Sequence, residues 1–148
     1  MPIEVRTATA RDRKKLQQFY SREGLSFDRL ASRTATLPMG SSSETMFIIA
    51  VTDGIVCAAM KLDIGESPEI GKIGFIQHLE IEDELESTDL GEKMLLEAEN
   101  IARDRNLRAL DTVVSEDRPD SIKLYENANF QAEHREIYMR KHFRNRVF

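Results

Sequence analysis

Two side chains that can act as proton acceptors stand two residues apart in the middle of the chain. His78 and Glu80 belong to the run 72–81, whose last four residues alternate between apolar and polar. Because successive side chains of a strand point to opposite faces, this alternation predicts that His78 and Glu80 share one face. An imidazole or a carboxylate in such a place can accept a proton as a general base. The alternative is a structural histidine beside one of many solvated acids. The opposite face would then carry Gln77, Leu79 and Ile81.

A second feature is the polar turn that precedes the longest helical pattern of the chain. Apolar residues recur at helical spacing over 89–105, and Asn106 is an acceptable residue for the end of that helix. The N-terminus of a helix presents unpaired N–H groups and a positive dipole end, which attract anions. Asp89 followed by Glu92 is also an ordinary helix start that needs no ligand.

Cysteine and histidine are too sparse for metal or nucleophilic chemistry. Cys57 is the only cysteine, and His134 and His142 lie far along the chain from His78, so no metal-ligand spacing and no nucleophilic triad emerge. Cys57 lies in an apolar run typical of a buried strand, which agrees with a reducing compartment. No apolar run approaches the roughly 18 residues that cross a bilayer, and no basic segment precedes an apolar one. We therefore expect a cytoplasmic protein that does not bind membranes.

The charge distribution argues against a nucleic-acid binder. The net charge is −5, whereas phosphate backbones are held by clustered lysine and arginine. Residues 80–104 contain ten acidic side chains against Lys93 and Arg103. Residues 135–148 reverse this balance, with five lysines and arginines against Glu136 alone. We interpret these as a solvated acidic face and a basic tail that could fold back on it.

The order of secondary-structure signals predicts one mixed sheet with helices packed on it. Asp53 and Gly54 join two apolar, β-prone runs and predict a hairpin, while Thr9 and Ser26 are suited to begin helices. The order β-α-α-β-β-β-α-β-α-β mixes hairpins with helical crossovers, which is typical of a mixed α/β fold. The predicted strands are 3–6, 46–51, 55–62, 72–81, 109–114 and 136–141; the predicted helices are 10–24, 25–33, 89–105 and one beginning at Pro119; the predicted loops are 34–45 and 65–71.

Four segments in this order resemble the GNAT superfamily of acyl-CoA-dependent N-acyltransferases. They are Val5-Arg6-Thr7-Ala8-Thr9 with Asp12; Gly91, Met94-Leu95, Ala98-Glu99 and Ala102; Ile122-Lys123-Leu124-Tyr125-Glu126 with Phe130; and Tyr138-Met139-Arg140-Lys141. Each match is short, but their order and spacing together are specific. The resemblance implies a single α/β domain over 1–148, with a central mixed sheet of about six to seven strands and about four helices.

The resemblance further implies acetyl-CoA as the cosubstrate. In this family a Gln/Arg-x-x-Gly-x-Gly/Ala loop holds the pyrophosphate, and the backbone of the strand carrying Leu79 and Ile81 pairs with pantetheine. The corresponding residues are Glu86, Ser87, Thr88, Asp89, Leu90 and Gly91. Only Gly91 matches, and two carboxylates replace groups that favour phosphate, so they oppose its binding electrostatically. Ser87 and Thr88 offer hydroxyl donors instead. Arg118 stands where the family often has Asn and would add a positive charge beside the cofactor.

The roles of three residues follow from the same resemblance. Tyr125 matches the family's frequent general acid, which protonates the departing CoA thiolate, and Glu80 and His78 are candidates for the base that deprotonates the amine. The implied reaction is transfer of an acetyl group to a primary amine of a small molecule or peptide by direct attack. The alternative is a GNAT-like binding or regulatory domain that has lost catalysis. By analogy with the family, the late strands would also form a homodimer.

Overall fold

A sheet of five strands forms the centre of the protein, whose computed structural model describes residues 2–32 and 39–144. The strands are β1 (Glu4–Thr7), β2 (Ser42–Thr52), β3 (Ile55–Ser67), β4 (Gly71–Ile81) and β5 (Ala109–Thr112). The helices are α1 (Arg13–Arg22), α2 (Phe27–Leu30), α3 (Leu90–Asp104) and α4 (Pro119–Asn127), with 3₁₀ turns at Ala10–Asp12 and Asp83–Leu85. The strand order is β1-β2-β3-β4-β5; the first four are mutually antiparallel, and β5 pairs in parallel with β4. This architecture confirms the mixed α/β class.

The hairpins are longer than the sequence indicates. Asp53 and Gly54 adopt positive φ angles of 52° and 73°, which confirms the turn between β2 and β3. β2 begins at Ser42, inside the expected loop 34–45, and β3 runs on to Ser67, inside the expected loop 65–71. Residues 34–38 of the first expected loop lie outside the described residues. Polar side chains such as those of Ser42 and Ser67 are accepted in these strands because backbone pairing, not side-chain hydrophobicity, extends the ladder.

The two faces of the sheet carry separate apolar clusters. On one face, α3 and α4 cover a cluster that includes Met60, Leu62 and Ile76. On the other face, α1 and α2 cover a cluster that includes Tyr20 and Phe47. We call these the α3 face and the α1 face.

The junction between β1 and α1 is held by one buried carboxylate. Asp12 is 3% exposed and accepts hydrogen bonds from Arg6 Nη1 and Nη2, at 2.8 and 2.9 Å, and from the Thr9 amide at 2.7 Å. Thr9 and Asp12 form the expected capping pair. The short helix α2 likewise begins at Ser26, whose Oγ accepts from the Arg29 amide.

The expected last strand, 136–141, does not form in the described chain. Residues 131–144 are exposed throughout and have no strand partner, so the sheet has five strands and not six to seven. The segment contains the β-prone residues Ile137 and Tyr138, but a strand requires an adjacent edge with which to exchange hydrogen bonds. In addition, no helix within residues 2–32 and 39–144 is long and apolar enough to cross a membrane.

Candidate active site

The parallel strands β4 and β5 separate part-way along their length. Their pairing covers Ile73–Ile76 and Ala109–Thr112, and the Thr112 hydroxyl donates to the Ile76 carbonyl at 2.9 Å beside the last rung. Beyond this point β4 continues to Ile81, and among the described residues it pairs only with β3, on its other side. We call this divergence the fork. It exposes one backbone edge of residues 77–81 to an extended ligand.

A β-bulge at His78 alters the faces that the alternation predicts. Lys61 pairs with Gln77 and Ala59 pairs with Glu80, so β4 has one residue more than β3 between these rungs. His78 accommodates the extra residue with a φ of 54°. Gln77 therefore shares the α1 face with Glu80, and the prediction that it lies with Leu79 and Ile81 is wrong. Histidine is among the residue types that tolerate a positive φ, which is the only signal of this bulge in the sequence.

Buried polar groups surround the bulge on the α1 face. The Tyr20 hydroxyl, on a fully buried ring, donates to the His78 carbonyl at 2.9 Å. Lys61 and Asp63 are both buried, with Nζ and Oδ2 3.4 Å apart, and Thr45 donates to the other Asp63 oxygen at 2.6 Å. These buried residues are not among the site residues predicted from the sequence. The feature that could have indicated them is the pair of opposite charges, Lys61 and Asp63, two residues apart inside an apolar strand. Together they fix the bulge and its charge environment.

Glu80 and His78 have pKa values that suit acceptance of a proton. Partial burial raises the pKa of Glu80; Arg118 opposes this, while Glu23 and Glu86 add to it. Partial burial also lowers the pKa of His78, as does nearby Lys61, whereas Asp63 opposes both. A raised pKa makes Glu80 a stronger base than a solvated glutamate. A lowered pKa keeps the His78 imidazole neutral, so it is able to accept a proton at neutral pH.

Tyr125 lies at the fork itself. Its ring is 8% exposed, packs edge-on against Phe130 at 5.2 Å and belongs to the cluster of the α3 face. Burial raises the pKa of its hydroxyl, and interaction with the Thr112 side chain opposes the change. Since Thr112 forms the last rung of the β4–β5 ladder, the phenol is held where the two strands separate. The hydroxyl remains protonated at neutral pH and is able to donate.

The turn before α3 leaves backbone N–H groups available. Thr88 Oγ1 accepts from the Leu90 amide at 3.3 Å, and the Asp89 carboxylate is 3.6 Å from Lys93 Nζ and does not cap the helix. The first amide of α3 bonded to a backbone carbonyl is that of Lys93, to Asp89. Within the described residues, the amides of Gly91 and Glu92 therefore have the geometry of free helix N-terminal donors.

Two of the altered loop positions carry less strain than their residue types suggest. Asp89 has a φ of −82°, so its Cβ imposes no backbone penalty. Glu86, Ser87 and Asp89 are exposed, and their side chains are free to reorient. A Cβ on Gly91 would stand 3.0 Å from Leu124 Cδ2, so a larger residue here would force the Leu124 side chain to shift between α3 and α4, whether or not phosphate binds.

The fold brings most of the expected site residues to one region. Leu79 and Ile81 lie on β4 past the fork, partly buried on the α3 face, and Ile81 approaches Gly91. Tyr125 marks the base of the fork, and Arg118 precedes α4 on the β5 side, close enough to Glu80 to affect its pKa. Ser87 and Thr88 lie in the turn before α3, where only Thr88 has a hydrogen bond to the helix.

Comparison with known proteins assigns the family. The model of the acetyltransferase (GNAT) family matches residues 9–130, which include every helix and strand from the 3₁₀ turn at Ala10–Asp12 to α4 and leave out β1. The chain therefore belongs to the GNAT acetyltransferase family. The match contains the fork, the turn before α3 and Tyr125.

Solved structures share the GNAT fold at low sequence identity. The aminoglycoside acetyltransferase AAC(6')-Iy, in complex with a bisubstrate analogue containing CoA, superposes with a TM-score of 0.77 at 12% identity, over 97% of this chain and 100% of that one. Ribosomal-protein-alanine N-acetyltransferase from Brucella melitensis biovar Abortus 2308 gives 0.70 at 16% identity, over 95% and 100%. Glucosamine-6-phosphate N-acetyltransferase from Arabidopsis thaliana gives 0.71 at 15% identity, over 97% and 100%. No curated protein matches the sequence. At these identities the structures establish the fold alone.

Proposed function

We propose that this GNAT protein transfers an acetyl group from acetyl-CoA to a primary amine of a small molecule or peptide. The observation that carries the proposal is the fork: an unpaired edge of β4 that has Tyr125 at its base and the N-terminus of α3 beyond its far end. An extended chain bearing a thioester at one end and a diphosphate at the other fits this order of groups. AAC(6')-Iy, which shares the fold, has been solved with a bisubstrate analogue that contains CoA.

The described residues fit acetyl-CoA despite their acidic loop. The amides of Gly91 and Glu92 would hold the pyrophosphate, and the backbones of Leu79 and Ile81 would pair with pantetheine. Asp89 is directed toward Lys93, which removes part of its repulsion. Arg118 is close enough to Glu80 to lower its pKa and supplies a positive charge on the β5 side. Acetyl-CoA itself supplies an activated acyl group and a thiolate leaving group.

The protein's own groups would then manage two protons. Glu80 would accept the proton of the attacking amine, because burial raises its pKa toward the neutral range. His78 is the second candidate, because burial lowers its pKa and keeps the imidazole neutral and able to accept a proton. The Tyr125 hydroxyl would donate its proton to the sulfur of the leaving thiolate. General acid–base catalysis of this kind contributes roughly 10²–10⁴-fold in rate.

A thermal-shift titration with acetyl-CoA tests the proposal, with adenosine alone as the matched control. We expect a Tm that rises with acetyl-CoA, since a ligand at 100 times its Kd stabilises by about 2.7 kcal/mol, and no comparable rise with adenosine. No change in Tm at millimolar acetyl-CoA would contradict it.

The second candidate is a binding or regulatory GNAT domain without catalysis, and the exposed Glu86 favours it. The double variant Glu86→Arg, Asp89→Gly separates the two. Tight acetyl-CoA binding by the wild type supports the enzyme, whereas binding that appears only in the variant supports the inactive domain.

A further inference from the structure

The side chain of Tyr20 joins helix α1 to the bulge of β4. Its ring is fully buried, and its hydroxyl donates to the His78 carbonyl at 2.9 Å. The rings of Phe19, Phe27 and Phe47 surround it at centroid distances of 5.4, 6.3 and 6.0 Å. A ring enclosed in this way has little freedom to rotate, so the hydroxyl is held in one place.

The backbone of Tyr20 is anchored as well as its ring. The amides of Glu23 and Leu25 both donate to the Tyr20 carbonyl, at 3.0 and 2.8 Å, and Gly24 between them has a φ of 78°. A glycine in the left-handed region is an ordinary way to close the C-terminus of a helix. Tyr20 therefore lies in the last turn of a well-closed helix, and α1 places its hydroxyl independently of β4.

The bulge decides which side of the sheet the residues after it face. Successive residues of a strand alternate, so one added residue reverses the faces of all that follow. The rungs on the two sides of the bulge put Gln77 and Glu80 on the same face, although they are three residues apart. The bulge requires a φ of 54° at His78, and a non-glycine residue keeps such a conformation only when its surroundings hold it. The hydrogen bond from Tyr20 is one of the contacts that hold it.

The end of α1 also lies beside the Glu80 carboxylate. Burial, and then the charge of Glu80, raises the pKa of the Tyr20 hydroxyl, so this hydroxyl stays protonated and able to donate. Burial raises the pKa of Glu80 itself; Arg118, at the start of α4, opposes this, while Glu23 and Glu86 add to it. Glu80 is thus faced by charged groups from the end of α1, from the turn before α3 and from the start of α4.

We propose that Tyr20 is a positioning residue for the transfer reaction: its hydrogen bond to the His78 carbonyl maintains the bulge that turns Glu80 to the α1 face. The inference rests on the proposed function, in which Glu80 is the base, and it adds the residue that places this base. Without the bond, a carbonyl in the interior would lose its partner, which is unfavourable. Residues 78–80 would then turn toward water or toward regular pairing with β3, and either change moves the Glu80 carboxylate.

Tyr20→Phe removes the hydroxyl and keeps the ring among its aromatic neighbours, so the variant should fold. We expect kcat to fall roughly tenfold, as for one lost hydrogen bond to a buried partner. The acidic limb of the rate profile should move to lower pH, because a carboxylate released toward water loses the rise in pKa that burial causes. Ser43→Ala is the matched control, since it removes a hydroxyl that donates to the Ile64 carbonyl of the same sheet at 3.0 Å, away from the bulge. A Tyr20→Phe variant with the kcat and the acidic limb of the wild type would overturn the inference.

Carbon-13 NMR of the Glu80 side-chain carboxyl, followed against pH, tests the placement of this group without measuring transfer. We expect the wild type and Ser43→Ala to titrate above the ordinary glutamate value of about 4.3, and Tyr20→Phe to titrate closer to it. Equal midpoints in the wild type and Tyr20→Phe would overturn the role of Tyr20 even in an active transferase. A wild type that transfers no acetyl group, with midpoints that differ as expected, would instead overturn the proposed function and support the placement of Glu80 by Tyr20.

Discussion

At the residue scale, the proposed proton transfers depend on a phenol and a carboxylate on the two sides of the fork. Tyr125 is mostly buried, yet its hydroxyl reaches the last rung between β4 and β5 through Thr112. Glu80 lies four residues past that rung, where β4 has no parallel neighbour. The two groups are therefore positioned by different elements, and their contributions can be separated by substitution.

Tyr125→Phe removes the proposed acid and keeps the ring that packs against Phe130. We expect kcat to fall by roughly 10²-fold with little change in Tm, because the buried ring surface is preserved. Steady-state release of CoA thiol measures this. Tyr138→Phe, at an 81% exposed tyrosine, is the control and should retain full activity. Equal activity of Tyr125→Phe and the wild type would remove the acid from the mechanism.

Arg118 should set the acidic limb of the pH profile. Its charge lowers the pKa of Glu80, against the larger effect of burial. A base acts when deprotonated, so the rate rises with pH through the pKa of Glu80. Arg118→Gln should move that limb to higher pH, and Glu80→Gln should abolish it. Profiles of rate against pH for both variants test whether Glu80 is the base, and Glu126→Gln is the control. If the acidic limb of Arg118→Gln lies at the same pH as that of the wild type, Glu80 is excluded as the base.

At the element scale, the acidic turn before α3 should weaken acetyl-CoA binding without preventing it. Glu86 is exposed and close enough to Glu80 to raise its pKa, so it adds negative charge beside the fork. Removing one like charge at a position exposed to water is worth about 1 kcal/mol, or roughly fivefold in Kd. We expect Glu86→Gln to bind acetyl-CoA about fivefold more tightly by calorimetry, and Glu84→Gln to change little. Weaker binding by Glu86→Gln would mean that this carboxylate contacts the ligand favourably.

The buried carboxylate at the junction of β1 with α1 should make the free energy of unfolding depend on pH. The Arg6 guanidinium and the Thr9 amide hold the pKa of Asp12 well below its ordinary value. A carboxylate with a lowered pKa stabilises the fold above its unfolded pKa, near 4, and this stability is lost as pH falls below that value. Asp12→Asn should lower the free energy of unfolding at pH 7 by about 2 kcal/mol. Urea unfolding at pH 7 and pH 3 measures this; an equal difference between variant and wild type at both pH values would contradict the ion-pair origin.

At the scale of the whole molecule, local patterns predict the fold class and tertiary contacts decide the details of the site. The Asp53-Gly54 turn, the α3 pattern and the Thr9–Asp12 cap are short-range features, and each appears as predicted. The bulge at His78 is different. It is enforced by pairing with β3 and by Tyr20, 58 residues away along the chain, so alternation within β4 alone cannot reveal it.

The expected sixth strand, which does not form in the described chain, shows the same limit of prediction from local sequence patterns. The strand predicted over 136–141 rests on the β-prone residues in that segment, and such a local pattern carries no information about whether an edge is available for pairing. In the described chain β5 has no second strand partner, and Arg135, directly before this segment, contacts Glu116 beyond the end of β5. Long-range pairing, and pairing between copies, is decided by geometry outside the segment itself.

Amide NMR of the isotope-labelled protein during titration with acetyl-CoA shows whether the ligand binds along the fork. We expect saturable shifts at Leu79 and Ile81 on the open edge of β4 and at Gly91 and Glu92 at the start of α3. Amides on the far side of the sheet, such as those of β1, should move little. An absence of shifts at millimolar acetyl-CoA, or shifts that avoid both the fork and the start of α3, would rule out binding at this site.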